Sequence, residues 1–209
     1  MASTTRRPSR AADRRAVLEQ RITSVLEERL RDGATFTELS VEQIAKAAGI
    51  SRSTFYLYFR DKADVLLRLS GSLKDRSYEI AASWTPAGPD GGVDGLARAY
   101  VDILRHYREN AALLAAINEV AAYDPQVHEV WTADQHRFID NLVKVLKAEQ
   151  REGRTPAGVA PELAARLIVQ GGSQILAQQV SASDGSDDDA VAGELARCYW
   201  YGVYRRPES

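Results

Sequence analysis

The chain has 209 residues, is 44% hydrophobic, and carries a net charge of −2 and one cysteine; this composition fits a soluble globular protein able to bury a core without staples. An internal disulfide is excluded, a membrane span is not expected because no stretch approaches ~18 consecutive apolar residues, and the polar, arginine-rich first 17 residues lack the apolar stretch of a secretion signal, which leads us to expect a cytoplasmic protein. The charge is unevenly divided: residues 1–62 hold 12 Lys+Arg against 8 Asp+Glu and the remainder 15 against 21, a basic head on an acidic body, as suits a chain with one end on phosphate.

Alternating β-branched runs are scarce and helical spacing recurs throughout, which predicts an all-α fold of about nine helices. Residues 1–12, with Pro8, read as a disordered basic tail. The first helix is expected from about Asp13 to Asp32, with Leu18, Ile22, Val25, Leu26 and Leu30 on one stripe and Gly33 as its stop. A second begins after Ser40 and a third after Ser51. A fourth runs from about Asp61 to Trp84, before the loop TPAGPDGG at 85–92. Helices five and six are expected at about 93–108 and 110–122. Asp124-Pro125 opens a seventh, whose apolar positions Val127, Val130, Trp131, Phe138, Leu142, Val145 and Leu146 hold helical spacing to about Glu152. Helix eight spans about 161–181, the acidic loop SDGSDDD follows, and helix nine spans about 188–204. The expected organisation is a three-helix head at 13–60 and a helical body at 61–209.

The most informative stretch is Leu39 to Lys62. Ser40 and Gln43 form a capping box, and Leu39 and Ile44 a hydrophobic staple across it. Eleven residues later Ser51 repeats the cap, with Ile50 and Phe55 as staple. Between the two short helices Gly49 suits a tight turn, since its backbone reaches positive φ without a Cβ clash. Ala45 is small enough for a close crossing, and Ile44, Ala48, Ile50 and Phe55 form the core between the helices. This is the helix-turn-helix pattern, whose second helix enters the major groove; a generic αα-corner is the alternative. The candidate outward residues are Ser51, Arg52, Ser53, Thr54, Tyr56 and Tyr58. Arg52 can address guanine O6 and N7, and the two tyrosines suit phosphates or thymine methyls, with core packing as the alternative for either. Lys62, in the first turn of helix four, is expected to share a phosphate with the free helix amides.

The string SVEQIAKAAGISRSTFYLYFRDKADVLL resembles the signature of the TetR family of bacterial regulators, specifically over residues 15–70. A weaker similarity to one regulator of that family continues through HEVW at 128–131, VLKAEQREG at 145–153 and APELAARL at 160–167. The resemblance implies nine helices, a homodimer, a ligand pocket in the C-terminal body, and DNA contacts at Ser40, Arg52, Ser53, Thr54, Tyr56, Tyr58 and Lys62. Glu42 departs from the base-contacting arginine that some members carry there, so no base contact is transferred to it. Arg6, Arg7, Arg10, Arg14 and Arg15 are either minor-groove contacts or part of a solubilising end.

In the body, Ile103, Tyr107, Trp131, Phe138, Asn141, Gln170 and Gln174 put aromatic rings and amides on apolar faces, as a small-molecule pocket requires; simple core packing is the alternative for each. The resemblance favours a pocket, with Tyr199 closing its far end. An apolar effector is expected, because no cluster of charges is placed for an ionic one. The resemblance also implies dimerisation through the last two helices. Gly171-Gly172 is costly inside a helix unless it serves close helix approach or a local break beside the pocket. A twofold dimer predicts a pseudo-palindromic operator read by helices ~34–36 Å apart. No nucleophile elbow, phosphate loop, dinucleotide fingerprint or zinc signature is present. His106, His128 and His136 are too dispersed for a metal site, and Cys198 is expected in the core. The expectation is a nucleoid-associated regulator, not an enzyme, with no cofactor or metal. The rival within DNA binding is a dimer with no effector.

Overall fold

The computed structural model describes residues 10–207. Its helices are α1 (Arg10–Arg31), α2 (Val41–Ala47), α3 (Arg52–Phe55), α4 (Lys62–Ser83), α5 (Gly92–Glu109) and α6 (Ala111–Ala121). They are followed by α7 (Pro125–Arg151), α8 (Pro161–Arg166), α9 (Gly172–Ala182) and α10 (Asp188–Tyr199). A π-turn, π1 (Leu167–Gly171), joins α8 and α9 into one rod, and a second, π2 (Trp200–Tyr204), extends α10. The ten α segments therefore make nine rods among the described residues, and no strand occurs among them. The first helix begins at Arg10, ahead of the expected Asp13, because Ala11 and Ala12 are strong helix formers. Of the tail expected over residues 1–12, residues 1–9, with Arg6 and Arg7, and the side chain of Arg10 lie outside the described residues, and α1 takes in residues 10–12.

Two cores organise the chain. In the first, Ile22, Leu26 and Leu30 of α1 meet Phe36, Leu39, Ile44, Phe55 and Phe59 of the corner, together with Leu113, Leu114 and Ile117 of α6. The head is thus packed directly on the body through α6. In the second, Leu96, Tyr100 and Leu104 of α5 pack on Ala192, Leu195 and Ala196 of α10 and on Leu146 of α7. The alanines let α10 lie close against α5. The helix α4 serves both cores, with Val65, Leu66 and Leu73 in the first and Ile80 and Ala81 against the second.

Polar clamps fix the helix ends. Arg108 at the end of α5 holds both oxygens of Asp188, at 2.5 and 2.7 Å, and the Ser183 carbonyl at 2.9 Å, pinning the turn between α9 and α10. Glu149, 3% exposed, accepts from Arg154 at 2.6 Å and Arg205 at 3.2 Å, tying the end of α7 to the residue after π2. His106 bridges α5 to α4, its Nε2 3.0 Å from the Leu73 carbonyl, whereas His128 and His136 are exposed. Cys198 is exposed rather than in the core. The buried stripe of α10 and π2 runs through Ala192, Leu195, Ala196 and Val203, and Cys198 falls off it. No helix is long and apolar enough to cross a membrane, among the described residues.

Candidate nucleic-acid interface and ligand cavity

The corner is built by caps at both helix starts. Ser40 N–H donates to Gln43 Oε1 at 2.7 Å and Gln43 N–H returns to Ser40 Oγ at 3.2 Å. Ser51 Oγ accepts from Thr54 N–H at 3.0 Å and lies 2.8 Å from the hydroxyls of Ser53 and Thr54. Between them Gly49 takes φ +62°, and Arg21 reaches from α1 to donate to the Ala48 carbonyl, its Nε at 2.6 Å. This guanidinium neutralises the carbonyl end of α2, so α1 sets the position of the turn.

The helix α3 is a single turn. The chain then leaves it through hydrogen bonds from Leu57 N–H to Thr54 O at 3.1 Å and from Tyr58 and Phe59 N–H to Phe55 O at 2.9 and 3.1 Å. Phe55 and Phe59 are buried, which turns Tyr56 and Leu57 outward. Tyr56 is 45% exposed and Leu57 73%. The Arg52 guanidinium lies over the Tyr56 ring, 5.7 Å from its centroid, with Nη2 3.4 Å from the hydroxyl. Arg52, Ser53 and Tyr56 form an exposed lip. The two tyrosines therefore diverge: Tyr58 is half-buried against the head core. The Arg15 guanidinium lies 5.7 Å from its ring centroid and pairs with Glu19, which also holds Arg68 of α4.

Lys62, from which a phosphate contact is expected, is engaged within the chain. Its ammonium donates to the carbonyls of Phe36 at 2.6 Å, Leu39 at 2.8 Å and Thr37 at 3.2 Å, which uses all three protons. Burial lowers its pKa, and the charge of Glu119 opposes that shift. The helix amide it was to act with is also taken: Asp61 accepts from Asp64 N–H at 2.8 Å, and a second carboxylate, Asp64, stands in the same turn. Beside Lys62, the Thr37 hydroxyl donates to Glu119 of α6. The loop before α2 is thus held by α4 and α6 together.

In the body, a cavity of about 220 Å³ opens between α4, α5, α7 and the α8–π1–α9 rod. Ile103, Tyr107, Trp131, Phe138, Asn141, Gln170 and Gln174 lie on its wall. Tyr199 does not line it. Its hydroxyl lies behind the wall, donating to the Leu167 carbonyl at 3.3 Å, because the wider π-turn brings that carbonyl and Gly171 up against α10. A β-carbon on Gly171 would stand 3.1 Å from the Tyr199 hydroxyl, so the glycine serves both close approach and the local break. Ile168, Val169 and Gln170 of π1 reach the cavity, while Leu163, Leu167, Ile175 and Tyr201 leave exposed apolar side chains on the rod and on π2.

Sequence reasoning missed Tyr100, Asn118 and Lys74 on this wall. Lys74, 9% exposed, donates to the Trp131 carbonyl at 2.6 Å and lies 4.1 Å from that ring's centroid. A signal was present: Ser70, Leu73, Lys74 and Ser77 are buried at i, i+3, i+4 and i+7 of α4 and put polar groups on an inward stripe. Burial pushes the phenol of Tyr100 well above its ordinary pKa. It also raises that of Tyr107, against a hydrogen bond with Ser77. Both hydroxyls are neutral groups on a largely apolar wall.

The profile of bacterial regulatory proteins of the tetR family matches residues 35–69, and that of the C-terminal domain of the transcriptional regulator EthR matches residues 96–205. The HTH-type transcriptional regulator EthR of Mycolicibacterium smegmatis is 28% identical over 210 residues, covering 97% of this chain and 95% of that protein. EthR of Mycobacterium tuberculosis is 25% identical over 179 residues, covering 85% of this chain and 83% of the relative. Among solved structures, Salmonella enterica GusR superposes with a TM-score of 0.70 at 22% identity, over 97% of this chain and 99% of that one. Thermus thermophilus FadR, a TetR-family repressor in complex with lauroyl-CoA, gives 0.62 at 21% identity, over 91% and 97%.

Proposed function

Because the chain belongs to the TetR family of DNA-binding transcription regulators, with an EthR-type C-terminal domain, we propose that it is a homodimeric repressor released from its operator by an apolar small molecule. The observation that carries this is the exposed lip of Arg52, Ser53 and Tyr56 on a corner locked by two caps and by Arg21. The proposed base-reading residue is Arg52. Ser40, Ser51, Ser53, Thr54 and Tyr56 supply hydroxyls towards the backbone, and Tyr58 and Lys62 hold the frame from behind. The exposed stripe of Leu163, Leu167, Ile175 and Tyr201 supports dimerisation through the last two rods. A pseudo-palindromic operator follows from the twofold axis.

The effector site of this proposal is the cavity in the body, residues 61–209. Its wall is mostly apolar with a few polar groups, Lys74 among them, and a fold neighbour of this chain holds an acyl-CoA. Coupling to the head at 13–60 would run through α4, which serves both cores, and through α6, where Asn118 faces the cavity and its neighbour Glu119 holds Thr37. Reciprocal coupling of this kind commonly amounts to ~1–3 kcal/mol.

Fluorescence anisotropy against the DNA upstream of the chain's own coding region, with scrambled DNA as control and at two salt concentrations, tests the reading. Tight, salt-sensitive preference for the upstream fragment is expected, and failure to bind at low salt would sink it. A melting screen with apolar compounds and acyl-CoA then addresses the effector, since a ligand that prefers the native state raises the melting temperature.

A further inference from the structure

Leu57 is the most exposed large apolar side chain among the described residues, 73% exposed. It is also firmly placed. Its own amide is bonded to Thr54 O at 3.1 Å, and the next two amides are bonded to Phe55 O. On either side of it in sequence, Phe55 and Phe59 are buried. Ser53 and Leu57 are four residues apart, as are Arg52 and Tyr56, and all four side chains are exposed. The polar lip thus carries one aliphatic group, which can neither donate nor accept a hydrogen bond. Holding it in water is unfavourable unless a partner covers it.

We propose that Leu57 determines sequence preference by packing on the C5 methyl of thymine in the operator, a role that rests on the DNA-reading function proposed above. On base edges in the major groove, the apolar group on offer is that methyl. The surface is continuous with the Arg52–Tyr56 lip, so a major groove entered by α3 brings base edges to it. Arg52 would address guanine by hydrogen bonds and Leu57 thymine by burial, two independent chemistries five residues apart.

The test uses the full chain and the upstream fragment, amplified once with thymidine triphosphate and once with deoxyuridine triphosphate. The second product lacks only the methyls and keeps its pairing. Wild type, Leu57→Ala and Leu57→Met are titrated against both by anisotropy, with circular-dichroism melting and sedimentation of each variant. One methyl buried per head corresponds to about fourfold in affinity, so a two-headed protein should bind the uracil fragment about fifteenfold more weakly. Leu57→Ala should bind both fragments within about twofold of each other, and Leu57→Met should regain most of the discrimination. An equal loss in Leu57→Ala and wild type would overturn the proposal, assigning the methyls to Thr54 or Tyr56. So would a wild type indifferent to the methyls, or a changed sedimenting mass in Leu57→Ala, which would make Leu57 a contact between copies. Failure of wild type to bind either fragment would overturn the DNA-reading head itself, and the role of Leu57 with it.

Discussion

The guanidinium of Arg21 fills the space in which a side chain on residue 49 would begin: its Nη2 lies 2.6 Å from the position of a β-carbon on Gly49. An alanine there meets two penalties. The backbone at φ +62° costs a non-glycine residue about 1–2 kcal/mol, and the methyl displaces Arg21 from the Ala48 carbonyl. We therefore expect Gly49→Ala to cost about 1 kcal/mol more in wild type than in an Arg21→Ala background. Urea denaturation of the four proteins measures this, and equal costs would show that Arg21 moves aside freely.

Replacing Lys62 by methionine keeps the stem and frees three loop carbonyls. A loss of about 1.5–3 kcal/mol of stability is expected, the range for hydrogen bonds involving a charged group. The salt dependence of DNA binding should keep its wild-type slope. A slope shallower by about one ion would return Lys62 to a phosphate.

The Glu149 cluster makes stability depend on acid. Burial alone would raise that carboxyl, but the hydrogen bonds from Arg154 and Arg205 outweigh it and hold it below its ordinary value of 4.5. Its folded pKa is depressed, so the stabilisation is fully present above pH 4.5 and is lost as pH falls through the lower folded value. Glu149→Gln should lose about 3 kcal/mol at neutral pH, as when one partner of a buried pair is removed. Its melting temperature should also fall less than that of wild type between pH 4.5 and pH 3. Parallel curves would exclude Glu149 as the source.

At Gly171 two effects compete. Alanine gains about 1 kcal/mol of helix propensity, while its methyl presses on the Tyr199 hydroxyl and disturbs the bond to Leu167. Gly171→Ala is expected to stabilise a Tyr199→Phe chain by about 1 kcal/mol and wild type by distinctly less. Thermal melting of the double-mutant cycle decides it, and equal gains would separate Tyr199 from the π-turn.

Features carried by local sequence were legible in advance: the Ser40–Gln43 box, the Ser51 cap, the Gly49 turn and the helix stripes each depend on neighbours within a few residues. What escaped depends on partners that sequence does not name. The acceptors of Lys62 are backbone carbonyls 23 to 26 residues away, and a carbonyl has no residue type. Tyr56 and Tyr58 lie between the buried Phe55 and Phe59, in a turn narrower than a continued helix. Cys198 was placed by regular helical spacing and Tyr199 by the family resemblance, and neither lies where it was expected. Tyr199 meets the rod where π1 widens it, and Cys198 falls just beside the face that α10 buries.

The π-turn also leaves a mark on how this chain can change. A π-turn holds one residue more than the α-helix joining the same ends. Deleting one residue from 167–171 would therefore leave a regular α-helix between the same ends, whereas deleting one from α8 or α9 would rotate everything beyond the cut by about 100°. In a deletion from α8, Leu176 would leave its core and Ile175 its outer face. Length variation is accordingly expected in the loops at 85–91 and 183–187, and within the rod only at the π-turn.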